Sequence, residues 1–284
     1  MVGRTQRVDT DMFAFIEAIQ DREVHLQSVP SVDEGDDVAG NSADSIAFQD
    51  PDIVIDLRGA DPVVNLRQLE DWLGHRTGGL LHASPWKLAT KRAMDITIGL
   101  LLLLVSLPVF FIASFAIVVT SPGPIFYRQT RVGKYGQPFT FLKFRSMRVG
   151  ADEQRAELSN QNEVSGPVFK IRQDPRITPV GRVLRKLSID ELPQVFHVLS
   201  GKMSLVGARP PLPDEVDTYG SREWLRLLAR PGLTCIWQTS GRSDLGFDTW
   251  VDMDIEYILN WNLGLDVKLL FKTVPAVLSG RGAY

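Results

Sequence analysis

Residues Ile96–Val119 read ITIGLLLLLVSLPVFFIASFAIVV, 24 residues without a charge. Thr97, Gly99, Ser106, Pro108 and Ser114 are the only interruptions. As a straight helix the stretch is about 36 Å long, enough for a hydrocarbon core of about 30 Å. By default it reads as a transmembrane helix. Pro108, near the middle, argues against a simple span, because proline removes a backbone hydrogen bond and kinks a helix. Ser106 is close enough to help satisfy a freed backbone group. Each half is then only about 17–18 Å long, too short to cross alone.

The flanks point the same way. Lys87, Lys91 and Arg92 precede the segment, and Arg128, Arg131 and Lys134 follow it. Positive residues favour the cytoplasmic side, so both ends are expected there. A re-entrant helix over about residues 88–119, broken at Ser106–Pro108, satisfies these constraints. The alternative is a buried helical hairpin in a soluble core.

Charge divides the rest of the chain. Residues 1–85 carry 6 Lys+Arg against 16 Asp+Glu, whereas residues 86–284 carry 25 against 18. We therefore expect an acidic, partly disordered arm over 1–85 and a basic domain over 86–284, suited to phosphates or lipid headgroups. In the arm, Met12–Ile19 and Leu66–Leu73 suggest short helices and Ile53–Leu57 a strand. Val29–Pro51 has too few large apolar residues to order itself. The first 20 residues lack the basic-then-apolar order of a secretory signal. The single Cys235 excludes an intramolecular disulfide and fits a reducing compartment.

After the apolar segment, Ile125–Gln129 and Phe139–Phe144 read as a β-hairpin. Apolar residues at helical spacing mark Gly181–Ser200, and Trp250–Trp261 and Leu265–Val277 read as Trp- and Leu-rich helices suited to a membrane interface. The expected fold class is α+β and mostly helical, with a re-entrant membrane helix, a β-hairpin and interfacial amphipathic helices.

Candidate chemistry lies in Leu184–Gln194, LRKLSIDELPQ. Asp190 and Glu191 follow the cations Arg185 and Lys186. Ser188 and Glu191 have capping-box spacing, so a helix is expected to start here, its dipole holding the acids ionised and its free N–H groups favouring phosphate. On these residues alone the acids read first as capping groups of an amphipathic helix, and only second as a site.

Several motifs occur in order: Lys91-Arg92-Ala-Met-Asp95, Lys143-Phe-Arg-Ser-Met147, Asp174-Pro-Arg-Ile-Thr178, Leu187-Ser-Ile-Asp-Glu-Leu-Pro193, Arg209-Pro210, Arg230-Pro-Gly-Leu-Thr234, Trp237-Gln-Thr-Ser-Gly-Arg242 and Gly280-Arg-Gly-Ala-Tyr284. Over Lys91–Tyr284 the chain resembles the monotopic polyprenyl-phosphate glycosyl-1-phosphate transferases, bacterial sugar transferases that start exopolysaccharide or O-antigen repeats. The resemblance implies a re-entrant helix and a site on the cytoplasmic face of the bacterial inner membrane. It also implies Mg²⁺ and transfer of a sugar 1-phosphate from a UDP-sugar to undecaprenyl phosphate. Its acid pair matches Asp190 as nucleophile and Glu191 as metal ligand. The ending leans towards UDP-glucose or UDP-galactose. Downstream glycosyltransferases are possible partners, and no nucleic acid is expected. The chain departs from the family in having Leu107 before Pro108, Ala208 in the Gly-Pro-Arg-Pro motif, and Cys235 where glycine is usual, which restricts the backbone.

Lys143, Arg145, Arg185, Arg209 and Arg242 are candidates for phosphate contacts, since guanidinium groups bind phosphate bidentately. Two rival functions are a metal-dependent glycosyltransferase using Asp252 and Asp254, which would release UDP rather than UMP, and a non-catalytic membrane-anchored adaptor. The four His form no metal pattern. His197 is expected to be a packing residue, and with one Cys a zinc site is not expected.

Overall fold

The computed structural model describes residues 79–284, apart from 156, 159, 161, 164–165, 170, 241–245 and 280–284, together with 45–47 and 54–56. Contacts divide the chain into Met1–Gln68 and Leu69–Tyr284. In the first unit, β1 (Ser45–Ala47) pairs antiparallel with β2 (Val54–Asp56), placing Ile46 opposite Ile55. β2 falls in the expected strand, whereas β1 lies within the stretch expected to be disordered. The two short helices expected in the arm lie outside the described residues.

The second unit begins with α1 (Pro85–Thr120), which contains the whole apolar segment. An 18-residue window of it has a mean hydropathy of 2.8 and is 17% buried, so by length and composition the helix can cross a membrane. Leu101, Leu104, Val105, Phe111, Ile112 and Phe115 are exposed, Phe111 at 75%. A helix in a soluble core would cover these side chains, so the buried-hairpin alternative fails. The helix runs on through Pro108 as one helical element. The expected break at Ser106–Pro108 is thus not a break in the helix: Pro108 leaves the Leu104 carbonyl without its helical donor, and beside it Ser106 Oγ donates to the Leu103 carbonyl at 3.1 Å.

Both sides of Pro108 rest on the same globular unit. On the N-terminal side, Lys91 and Asp95 are buried, and Arg92 donates to the carbonyls of Val198 and Leu199 at 2.6 and 2.8 Å. Beyond Pro108, Ala113 and Ile117 pack in a core with Phe144 and Leu184. Phe110 stacks obliquely on Phe144 and edge-on to Phe196.

β3 (Phe126–Val132) and β4 (Pro138–Phe144) form the expected hairpin, with Tyr127 opposite Lys143. The helix expected over Gly181–Ser200 is split in three. α2 (Pro179–Lys186) is capped by Thr178, whose Oγ1 accepts from the Gly181 N–H at 2.9 Å. Gly181 is required because a Cβ there would lie 1.9 Å from the Ser146 carbonyl oxygen. A 3₁₀ turn (Ile189–Gln194) and α3 (Val195–Leu199) follow.

β5 (Ser204–Val206) then pairs in parallel with β6 (Gly232–Thr234). Their connection carries α4 (Pro213–Val216) and α5 (Ser221–Trp224). The unit closes with α6 (Ile236–Ser240), α7 (Phe247–Asn260) and α8 (Leu263–Ser279). The main core joins Phe141, Val198, Met203, Leu205, Tyr257, Ile258 and Trp261.

Candidate active site

The split in the expected helix creates the site. Ser188 sits in the left-handed region at φ 55°, and its side chain caps nothing. The expected capping box is therefore absent, because an N-cap needs an extended backbone to aim its hydroxyl at the next turn. Left-handed geometry at Ser188 instead turns the chain between α2 and the 3₁₀ turn. That turn directs Asp190 inward.

Asp190 is 7% exposed. Burial pushes its carboxyl above the usual range, Lys143 and Arg185 draw it back, and Glu191 pushes it up. A helix dipole holding Asp190 ionised is thus corrected: desolvation dominates. Lys143 of β4 pairs with Glu191 at 2.8 Å, joining the hairpin to the acid pair across 48 positions. Arg185, in the last turn of α2, is lowered by burial, while Asp190 and Asp174 act to keep it charged.

Lys143, Arg185, Arg209, Asp190 and Glu191 line one cavity of about 730 Å³. Thr234, Trp237, Gln238 and Trp250 complete its polar and aromatic side, and Ile98 and Leu102 reach it from the apolar helix α1. Arg145 is not among its lining residues. It donates to the carbonyls of Ser121 and Pro122, both at 2.6 Å, and ties down the end of α1. Arg242 lies outside the described residues.

Other expected residues resolve into structural roles. Asp254 is buried against Arg226, with Nε 2.9 Å from Oδ2, and burial holds its carboxyl up at about 6. Asp252 is half exposed and pairs with Arg222. The two acids thus have different partners and share no metal position. His197 Nε2 accepts from the Leu142 N–H at 3.0 Å, its ring stacks on Phe141, and burial lowers its pKa. It is a packing residue, as expected. Cys235 is buried, has no left-handed φ and donates from Sγ to Gln238 Oε1 at 3.2 Å, so it strains no backbone.

Asp174 and Arg176 belong to a motif whose spacing does not reveal their contact. They form a buried bidentate pair, with Arg176 Nη2 2.6 Å from Asp174 Oδ2 and Nε 2.9 Å from Oδ1. The stack of Trp237 on Trp250, centroids 4.4 Å apart, gave no periodic signal. Lys91 and Arg92 read as topogenic charges, but Lys91 is buried against Asp266 and Arg92 caps α3.

No group of three or more His, Cys, Asp and Glu able to hold a metal occurs among the described residues. An adjacent acid pair in a cation-lined cavity still fits Mg²⁺, which commonly takes one or two carboxylates and completes its shell with substrate phosphate and water.

Residues 86–280 match the family model for bacterial sugar transferases. The chain is 42% identical over 199 residues to the exopolysaccharide production protein ExoY of Sinorhizobium fredii, covering 69% of this chain and 88% of that one. It is 40% identical over 206 residues to a UDP-glucose:undecaprenyl-phosphate glucose-1-phosphate transferase of Caulobacter vibrioides, covering 68% and 72%. It is 42% identical over 198 residues to the undecaprenyl-phosphate galactose phosphotransferase of Salmonella typhimurium, covering 68% of this chain and 41% of that protein. The galactosyl transferase CpsE of Streptococcus agalactiae is 43% identical, and the match spans 44% of its length. With its acid pair, cationic cavity and apolar helix carried on the matched residues, the chain belongs to the bacterial sugar transferase family.

Proposed function

We propose that the protein transfers a sugar 1-phosphate from a UDP-sugar to undecaprenyl phosphate through a phosphosugar-aspartate intermediate. One observation carries this: a buried carboxylate, Asp190, lies with Lys143, Arg185 and Arg209 in a cavity that the membrane helix also lines. An oxygen of Asp190 attacks the β-phosphorus, the bond to the α-phosphate breaks, and UMP leaves. An oxygen of the lipid phosphate then attacks the same phosphorus, the aspartate carboxylate leaves, and the lipid diphosphate-sugar forms. Burial makes Asp190 a poorly solvated and therefore reactive nucleophile, and the cations offset charge on the transferring group. Glu191 would hold Mg²⁺, which supplies charge neutralisation on the diphosphate when bound.

Names of relatives support glucose or galactose as the sugar. The name of the ExoY relative supports a part in exopolysaccharide production, and the proposal places the reaction at the start of exopolysaccharide or O-antigen repeats, ahead of glycosyltransferases that extend the chain. Contacts of α1 with one globular unit on both sides of Pro108 support the re-entrant topology, and the proposal puts that unit on the cytoplasmic face of the inner membrane, where flanking positive charge is favoured. The proposed domain division is an acidic arm over 1–85 and a transferase domain over 86–284.

The test is incubation of the purified protein with UDP-glucose or UDP-galactose radiolabelled in the sugar, without lipid. Protein-bound label and stoichiometric UMP are expected. Release of UDP, or undiminished labelling of Asp190→Asn, would overturn the assignment.

A further inference from the structure

His197 joins two of the elements that build the site. It lies on α3, which directly follows the 3₁₀ turn carrying Asp190 and Glu191. Its Nε2 accepts from the Leu142 N–H of β4 across 55 positions. Lys143, the next residue of β4, reaches back to Glu191 at 2.8 Å. The same strand and the same turn are thus tied twice, once by backbone and once by charge. In an antiparallel pair every second N–H points away from the partner strand. The Leu142 N–H is one of these, and without the imidazole this partly buried donor would lose its acceptor. Packing accounts for the stack of the ring on Phe141, with planes within 14°, but not for the direction of Nε2. Burial lowers the pKa of the ring, which is therefore neutral at pH 7, with its proton on Nδ1 and a lone pair on Nε2.

The acceptor is itself fixed. The His197 carbonyl accepts from the Met203 N–H at 3.0 Å, and the Val198 carbonyl accepts from Arg92 at 2.6 Å. Phe141 and Lys143 share one face of β4, and Lys143 Nζ lies 5.6 Å from the centre of the Phe141 ring that His197 stacks on. The Lys143–Glu191 pair does not set this geometry alone, because its side chains are 19% and 23% exposed and a lysine stem is flexible. We infer that His197 is a positioning residue for the phosphosugar transfer: by holding the Leu142 N–H it fixes β4 against the 3₁₀ turn, so that Lys143 stands beside Glu191 and Asp190. This rests on the proposed transfer chemistry. A misplacement of about 1 Å at such a group can cost about 10²-fold in rate.

Three variants of the full chain in lipid nanodiscs test this, with UMP release from UDP-glucose or UDP-galactose and undecaprenyl phosphate as the readout. His197→Phe keeps an aromatic ring on Phe141 and lacks the acceptor. His197→Gln places an amide oxygen at the reach of Nε2. His197→Phe is expected to lower kcat by about tenfold with KM for the UDP-sugar within about twofold, and His197→Gln to restore kcat to within about twofold of wild type. Combined with Lys143→Gln, His197→Phe is expected to cost less than about twofold more than Lys143→Gln alone, because a residue acting through Lys143 has nothing left to position. A full further tenfold loss in the double variant overturns the inference, since His197 would then act independently of Lys143. So does a wild-type rate for His197→Phe, or a His197→Gln as slow as His197→Phe. Failure of both single variants to fold, read by thermal unfolding, also overturns it, because the ring would then hold the core rather than the site. A wild-type protein that releases no UMP refutes the transfer chemistry and is distinct from each of these results.

Discussion

Lys91 Nζ lies 2.6 Å from Asp266 Oδ2, joining residues 175 positions apart. The pair is almost fully enclosed, with side-chain exposures of 10% and 0%. Lys91 also donates to Tyr257 Oη and the Val206 carbonyl, both at 3.2 Å. Tyr257 Oη in turn donates to Asp266 Oδ1 at 2.7 Å. The network fastens the start of α1 to the start of α8, two helices that both line the cavity around Asp190.

Removing one partner strands the other charge. Lys91→Met is expected to destabilise the protein by about 3–5 kcal/mol, whereas Lys91→Met with Asp266→Leu recovers most of that loss, because breaking a buried pair costs more than replacing it. Thermal unfolding of the single and double variants in nanodiscs measures both.

Asp190→Asn is expected to abolish labelling and yet raise the melting temperature at pH 7. The folded protein holds the Asp190 carboxyl above its unfolded value. Its ionisation therefore opposes folding: the favourable balance is complete below the unfolded value and is lost as pH rises through the folded one. The gain in the Asn variant is expected to vanish below about pH 4, where aspartate is protonated in both states. A gain that persists at low pH would point to packing instead.

Lys143→Gln is expected to lower UMP release by about 10²-fold, the usual effect of losing one group that stabilises developing charge. Lys143 draws the Asp190 carboxyl down, so its removal lets that pKa climb. The acidic limb of the pH–rate profile should then move to higher pH. A fall in rate with an unmoved limb would confine Lys143 to holding Glu191.

Asp252→Asn is expected to keep phosphosugar transfer within about twofold and stability within about 0.5 kcal/mol, as for most surface substitutions. Asp252 is 49% exposed and pairs with Arg222 away from Asp190. A large loss of transfer, with UDP as product, would revive the glycosyltransferase alternative.

Cys235 is buried, and burial raises its thiol pKa well above the ordinary value, so the wild-type chain should be silent to a thiol reagent. Lys87→Cys and Arg128→Cys place exposed thiols on the two flanks of the apolar segment. In sealed inverted vesicles both are expected to label with a membrane-impermeant reagent. Labelling of one alone would establish a span.

Local pattern carried much of the fold into view. The β-hairpin and the two C-terminal helices lie where alternation and helical spacing put them. The split of Gly181–Ser200 did not show, because its apolar spacing runs on through Ser188 while the backbone turns left-handed there. The parallel pairing of β5 with β6 was also illegible: three-residue strands carry no periodicity, and their partners are separated by a long crossover. At the site, Asp190, Glu191, Lys143, Arg185 and Arg209 were all named beforehand and meet in one cavity. Arg145 was named on charge alone, and charge does not say which carbonyls a guanidinium will reach.

The sequence by itself determined the long apolar helix, since the free energy of moving an apolar stretch out of water depends on its own side chains. It also determined which acidic and basic residues were available for phosphate chemistry. Only the tertiary structure decided that Asp190 is desolvated, that Lys143 meets Glu191 across 48 positions, and that Lys91 meets Asp266 rather than a lipid headgroup. Hydropathy and periodicity are properties of neighbours along the chain. A carboxyl's pKa and a cation's partner depend on what distant segments bring within a few ångströms, where the local dielectric is low and each charge must be matched.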